Sequence, residues 1–372
     1  MPGHDVIVIG GGIAGLTAAI GLRASGHRVR LFEQAASIEP LGAAISLWGN
    51  ALAALDRLGC GDAVRACSAP IDTLRSTTRA GATLFGPVDV SGSDSWLVRR
   101  ADLQRVLLEA AGADTVTLGT RIETIDETGA RVRATDQHGD VHEADALVLA
   151  DGIHSAHATA LLGNPPAYRG YKGFLGLAEG KADGGVGISE EIWDGTVRAG
   201  LFGTYGGGQY WFVMYAAGED EEMTPGALHA LMASWPERVR EAVLATPHEA
   251  RITGSIHARD VPKRLGEGRR IAIGDAAHAM EPNLGQGACQ GIEDADALAR
   301  IAATHAPGEW LGALEKARLK RIAHYMNGSA RIGTIAHRLP EPARAATEAF
   351  MRVTPRAVDR WVIGQEIRPP KI

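Results

Sequence analysis

The segment that most constrains this chain is Gly10-Gly11-Gly12-Ile13-Ala14-Gly15, which directly follows the β-branched run Val6-Ile7-Val8-Ile9. Such a run suits a strand buried on both faces. The spacing predicts a strand over Asp5–Ile9, a turn over Gly10–Gly15, a helix over Ala14–Ser25 closed by Gly26, and a second strand over His27–Glu33. Together these make a βαβ unit. In it, Gly10 permits the tight turn, Gly12 lets backbone approach a diphosphate, and Gly15 lets helix and strand pack closely. Free amides and the macrodipole at the helix start favour an anion. Glu33 closes the second strand, where its carboxylate can accept from both ribose hydroxyls of an adenosine. In a chain with 47 glycines such a turn could arise by chance. Strand, helix and acid at their proper offsets argue otherwise, but they do not choose between FAD and NAD.

The same apolar stretch, Val6 to Leu22, could pass for a signal peptide or a membrane span. Asp5 precedes it, no cationic segment leads it, and glycines interrupt it, so the chain reads as soluble and cytoplasmic. Three scattered cysteines, Cys60, Cys67 and Cys289, suggest a reducing compartment. A net charge of −6 with no basic run argues against nucleic acid and anionic membranes as partners. Oligomeric state is left open.

With 372 residues, one large or two interleaved domains are expected. Buried-strand runs recur at Ala146–Ala150 and Arg270–Ile273, and helices are predicted over Asn50–Leu58, Arg100–Gly112 and Gln286–His305. Between them, Arg75–Ser95, Phe174–Glu179, Thr196–Gly203, Tyr210–Ala216 and Ala250–Ser255 read as strands, interrupted by helices at Pro225–Ala233 and Pro236–Leu244. The tail from Trp310 to Thr354 reads as helical, with a break at Pro355 and a frayed end at Pro369-Pro370. The expected architecture is α/β. A discontinuous Rossmann-like nucleotide-binding domain (1–70, 97–167 and 257–310) carries an inserted, mostly antiparallel substrate domain (71–96 and 168–256). A C-terminal helical segment (311–372) follows.

Two further motifs follow in order. Ala150-Asp151-Gly152-Ile153-His154-Ser155 is, as a bare pattern, only a turn after a strand. Arg270-Ile271-Ala272-Ile273-Gly274-Asp275 delivers an Asp at a strand's C-terminal end, able to bond a ribityl hydroxyl, and Pro282-Asn283-Leu284-Gly285-Gln286-Gly287 opens a helix. That helix start can face a flavin pyrimidine edge, which becomes anionic on reduction. A structural N-cap with a flexible loop explains the residues about equally well.

Taken together, the three motifs resemble the group A flavoprotein monooxygenases, the family of p-hydroxybenzoate hydroxylase, over nearly the whole chain. Within the family, Leu41-Gly42-Ala43-Ala44-Ile45-Ser46-Leu47-Trp48 and Arg100-Ala101-Asp102-Leu103-Gln104 are similar to the bacterial FAD-dependent urate hydroxylases. The resemblance implies roles. Gly10, Gly12, Ala14 and Gly15 would hold the FAD diphosphate, with Glu33 and Gln34 at the adenosine end and Ile122 at the adenine. Arg100 would contact the diphosphate or ribityl region. Ala44, Ser46, Asp275, Gly285, Gln286, Gly287 and Ala288 would surround the ribityl and ring, and Asp151 and Gly152 would serve FAD and NAD(P)H together. Arg198 and Tyr210 would face the substrate, and Pro282 would wall the pocket.

The reaction implied is hydroxylation of an aromatic or heteroaromatic small molecule by a flavin C4a-hydroperoxide, with NAD(P)H as reductant and O2 as co-substrate. Three residues depart from the family pattern. His157 stands where Arg is usual, Gly49 where Pro usually follows Trp48, and Gly203 where Pro is common; the last two suggest a reshaped pocket. A halogenase reading fails because Tyr210-Trp211-Phe212-Val213-Met214-Tyr215 does not match WxWxIP. A flavin dehydrogenase or oxidase without hydroxylation, or a catalytically silent flavoprotein, stays open at this level. No histidine set has metal-ligand spacing.

Overall fold

A computed structural model describes residues 3–38, 43–180, 186–222 and 224–367. The expectations for Leu41, Gly42 and the Pro369-Pro370 end lie outside the described residues. The β-branched run forms the strand Asp5–Ile9, with Val6, Ile7 and Val8 at most 1% exposed. It pairs in parallel with Arg28–Phe32 on one side and Ala146–Leu149 on the other. Arg270–Ala272 extends this sheet beyond Ala146–Leu149. The order is Gly266–Glu267, Arg270–Ala272, Ala146–Leu149, Asp5–Ile9, Arg28–Phe32, Val116–Thr117. Sequence-distant strands are thereby set side by side, so the loops after Ile9, Leu149 and Ala272 emerge at one edge. Ligands bind at such an edge in open parallel sheets.

The second large sheet runs Ile252–Ala258, Ala167–Ala178, Gln209–Ala216, Val197–Gly203, Gly187–Asp194, Ser68–Thr78, Trp96–Arg99, Ala44–Leu47, with Thr83–Asp89 paired to Ser68–Thr78. It is antiparallel except where Gly187–Asp194 meets Ser68–Thr78. Alternation gives it two faces. Leu201, Trp211 and Val213 pack outward with Leu228, Met232, Trp235 and Val239 of the helical segment between strands. Phe202, Phe212 and Met214 join the main core instead.

Several elements escape the sequence reading. Gly187–Asp194, not among the expected strands, is a strand that carries Glu190 and Glu191. Glu190 is 5% exposed because Arg238 grips it through two bonds of 2.9 Å. Ile122–Thr128 forms a strand of a three-stranded antiparallel sheet despite its alternating acids. Ala156–Leu162 is a short helix capped by the Ser155 hydroxyl, which accepts from the Ala158 N–H. The tail breaks at Pro355, between Glu341–Val353 and Arg356–Glu366, and also once before it. Trp310–Gly333 passes into a π-helical turn, Thr334–Arg338, and Pro340 stops it before Glu341–Val353. No helix among the described residues is long and apolar enough to cross a membrane.

Candidate active site

The three motifs meet. A side-chain carbon at Gly10 would lie 2.5 Å from the Ala150 carbonyl oxygen and 2.7 Å from the Asp151 Cα, so only glycine lets the first turn touch the second motif. Gly10 also has φ +107°, a region costly for other residues. Gly15 would strike the Gly10 carbonyl at 1.9 Å, which is the close helix–strand approach expected of it. Ala14 packs against Gly274 and Gly291, joining the first helix to the third motif. Gly12 is different. A carbon there meets nothing within 4 Å, and it caps the helix Ile13–Ala24 without any side-chain bond. An open step at a helix start is the kind of site that suits an anionic group.

Glu33 accepts from the Gly11 N–H at 2.6 Å and the Ala35 N–H at 2.8 Å, which aims the carboxylate and leaves each oxygen a second lone pair. Gln34 beside it is exposed. Ile122 is buried, and its carbonyl accepts from His157 Nε2 at 3.1 Å. The histidine that replaces the family's Arg is thus engaged with the strand Ile122–Thr128.

Arg100 starts the helix Arg100–Ala111. Burial pushes its guanidinium below its ordinary pKa, and the Asp275 carboxylate opposes that. A desolvated cation at the mouth of this cleft is a fit for an anionic group. Burial likewise pushes the Asp151 carboxyl up, against a Ser155 hydrogen bond that lowers it. Asp151 Oδ1 is buried without a partner. Asp275 is exposed at the start of the turn Asp275–His278, and Gly285 lies against Trp48 and Ser46. The Gln286 side chain is turned inward. It is 1% exposed, and its amide donates to the Glu366 carbonyl at 2.9 Å while its oxygen accepts from Asn50, so only loop backbone is left for a ligand. Gly287 and Ala288 stay half-exposed, and Pro282 is exposed.

Arg259 carries a role no sequence motif announces. It is 2% exposed and donates to the carbonyls of Ile153, Asn164 and Asp275 and to the Thr159 hydroxyl. His278 is wholly buried against Asp294 at 2.5 Å, and Asp294 in turn takes the Arg318 Nε at 2.7 Å. Arg318 also bonds Glu293. These charges brace the Asp275 loop from behind.

Arg198, Gly200 and Phe202 share a sheet face with Tyr210, Phe212, Met214 and Tyr171, by direct register across two strand pairs. Arg198 is 3% exposed, sits over the Phe212 and Trp193 rings, and lies 3.8 Å from Glu191. Its Nε has no hydrogen-bond partner. Tyr171 donates to Glu281 at 2.9 Å and accepts from Asn283 at 3.0 Å, residues flanking Pro282. Burial raises the Tyr210 phenol well above its ordinary value, although Arg198 opposes this, so it is a neutral hydrogen-bonding group and not a phenolate.

Two departures from the family pattern have structural settings of their own. Gly203 points to the outer face, where it lines a cavity of ≈ 570 Å³ with Leu201 and Gln209. A carbon at Gly49 would meet the Ser93 carbonyl at 2.2 Å and the Ile367 carbonyl at 3.2 Å, so a proline has no room.

Comparison with known proteins gives the family. An FAD binding domain family model matches residues 3–326. The chain belongs to the FAD-dependent monooxygenases. Aurachin C monooxygenase/isomerase of Stigmatella aurantiaca is 33% identical, covering 90% of each chain. FAD-dependent urate hydroxylase of Klebsiella oxytoca is 33% identical, covering 78% of this chain and 79% of its own. The crystal structure of Klebsiella pneumoniae HpxO with FAD and uric acid superposes with a TM-score of 0.91 at 27% identity, covering 98% and 96% of the two chains. This monooxygenase therefore uses FAD, with NAD(P)H as reductant and O2 as co-substrate, and it has the α/β architecture with a helical C-terminal region expected of the family.

Proposed function

We propose that this monooxygenase hydroxylates an aromatic or heteroaromatic ring held on the sheet face of Arg198, Phe202, Tyr210 and Phe212. The observation that carries this is Arg198, a buried guanidinium with an unpartnered Nε among aromatic rings, on the face next to the Glu281–Asn283 loop. A buried Arg with unused donors is suited to a polar oxygen or ring nitrogen of a ligand. Uric acid in the related HpxO is one such heterocycle, and a ring of that class is the substrate proposed here.

In this reading Gly10, Gly12, Ala14, Gly15 and Arg100 hold the FAD diphosphate, and Glu33, Gln34 and Ile122 the adenosine end. Asp275 takes the ribityl chain. Ala44, Ser46 and the backbone of Gly285–Ala288 border the flavin ring. Asp151 and Gly152 serve both FAD and the incoming NAD(P)H. The bound flavin supplies hydride acceptance and oxygen activation. The chain's own residues position the ring and exclude water, with Pro282 as a wall and Tyr210 as a neutral donor. The separate cysteines suit a reducing cytoplasm.

The test is direct. Purified protein is yellow, and a true ring ligand accelerates NAD(P)H oxidation while O2 is consumed and a hydroxylated product forms. Ligand-stimulated oxidation that returns all oxygen as H2O2 or water sinks the proposed hydroxylation.

A further inference from the structure

A second group on the Arg198 face lacks a partner. His337 lies in the π-helical turn Thr334–Arg338, where the Leu339 N–H reaches back to the Thr334 carbonyl at 3.0 Å. That widened turn brings two consecutive side chains against residues that adjoin the Arg198 face. His337 stacks on Tyr171 with centroids 4.3 Å apart, and Arg338 bonds Glu281 at 3.1 Å. The imidazole is 4% exposed. Its Nδ1 faces the Thr196 carbonyl at 2.9 Å, and a carbonyl only accepts, so Nδ1 carries the proton.

The other nitrogen, Nε2, then holds only a lone pair, and it is buried with no partner. It does not gain a proton either. Burial first, and the Arg198 charge second, hold the imidazole down at about 3. Arg198 Nε, a donor on the same face, is also buried without a hydrogen bond, with the Glu191 Oε2 the nearest carboxylate oxygen at 3.8 Å. An acceptor and a donor without hydrogen bonds thus belong to one sheet face, through the stacking of His337 on Tyr171. Leaving both unpaired is costly, and a ligand that meets both removes the cost. Glu191 beside Arg198 offsets its charge, and the Tyr171 and Tyr210 phenols are neutral, because burial raises both.

We propose that His337 reads the substrate: its Nε2 accepts an N–H or O–H from a neutral ring whose adjacent oxygen or nitrogen takes the Arg198 guanidinium. Lactams, hydroxylated heteroarenes and aminophenols have that edge; simple aryl carboxylates do not. The proposal rests on the reading that the Arg198 face holds the substrate.

The experiment follows binding through the perturbation of the flavin absorbance, using 2-quinolone and its N-methyl derivative. The wild type is expected to bind the N–H lactam at least about tenfold more tightly, since an unpaired buried group penalises the analogue that lacks its partner. His337→Asn keeps a donor for the Thr196 carbonyl but removes the acceptor, and is expected to abolish that ratio through KM and not kcat. His337→Gln, with an oxygen that reaches toward the Nε2 position, is expected to restore part of it and serves as the second variant. Bound FAD per chain reports folding of each. Equal binding of the two lactams by the wild type, or an unchanged ratio in both variants, overturns the role of His337. Lactam binding that Arg198→Gln leaves untouched overturns the underlying choice of face.

Discussion

Arg259 donates through Nη2 to the carbonyl of Ile153 at 2.8 Å, and through Nε to the carbonyl of Asp275 at 3.3 Å. One buried guanidinium therefore ties the Asp151-Gly152 segment to the Asp275 loop, two regions of the proposed cofactor cleft that are far apart in sequence. Arg259→Met keeps the stem but strands buried carbonyls, at about 1–3 kcal/mol for each group left unsatisfied. Thermal melting is expected to drop by several degrees and FAD content to fall with it. Unchanged FAD stoichiometry and Tm would remove this clamp from the account.

Two glycines of the first motif should separate cofactor binding from folding. At Gly12 a side chain meets open space in the chain alone. Gly12→Val is therefore expected to leave the melting of the FAD-free protein near the wild-type value while FAD affinity falls at least about tenfold. At Gly15 the new carbon would lie 1.9 Å from the Gly10 carbonyl. Gly15→Val should depress apo-protein melting or yield insoluble protein. Comparable apo stability for both variants would contradict the assignment of open and closed sides.

Arg198→Gln removes a charge from a site that is 3% exposed while keeping a polar side chain. Ligand-stimulated NAD(P)H oxidation is expected to lose about tenfold to a hundredfold in kcat/KM, with FAD content unchanged. Tyr210→Phe should cost less, about tenfold or below, because it deletes one neutral hydrogen bond. Parallel loss of FAD in the Arg198 variant would identify a folding defect instead.

His337 also gives the fold an acid sensitivity. Its folded pKa, about 3, lies below the ordinary 6.5, so the unfolded chain takes up a proton first as pH falls. The stability it contributes is fully present above pH 6.5 and is lost as pH falls toward 3. Burial lowers His27 in the same direction. Above the ordinary glutamate value of 4.5 few carboxylates titrate, so between pH 6.5 and 4.5 these histidines should dominate the loss. Urea midpoints across that window should fall in the wild type and fall less steeply in His337→Asn. Parallel curves for the two proteins would rule out this origin.

Proline ordinarily suits the first turn of a helix. Gly49 begins the helix Gly49–Arg57, yet Gly49→Pro should destabilise the fold, because its Cβ would press on the Ser93 carbonyl at 2.2 Å and approach Ile367. A lowered Tm together with faster proteolysis after residue 353 is the expected signature; a stabilised variant would refute the clash.

What could be read from the chain alone was whatever depends on local covalent geometry and spacing. The β-branched run before Gly10, the missing side chain at Gly15 and the alternation through Val197–Gly203 and Gln209–Ala216 each constrain the backbone whatever surrounds them. Glu190 in a strand was hidden, because only Arg238, 48 positions away, makes burying its charge tolerable. The side-chain partners of Gln286 were hidden for the same reason: Asn50 and Glu366 come from opposite ends of the chain.

The sequence by itself determined that a diphosphate-binding turn, a DG turn and a GDAAH–GQG segment occur in one order, since those signals are local and their spacing survives any packing. Only the tertiary structure decided that Arg259 clamps two of them together. It also set Gly203 on the outer face and stacked His337 on Tyr171 beside Arg198. Burial, unpaired polar atoms and the direction of a side chain arise from groups that meet only after distant segments pack, and no local pattern encodes them.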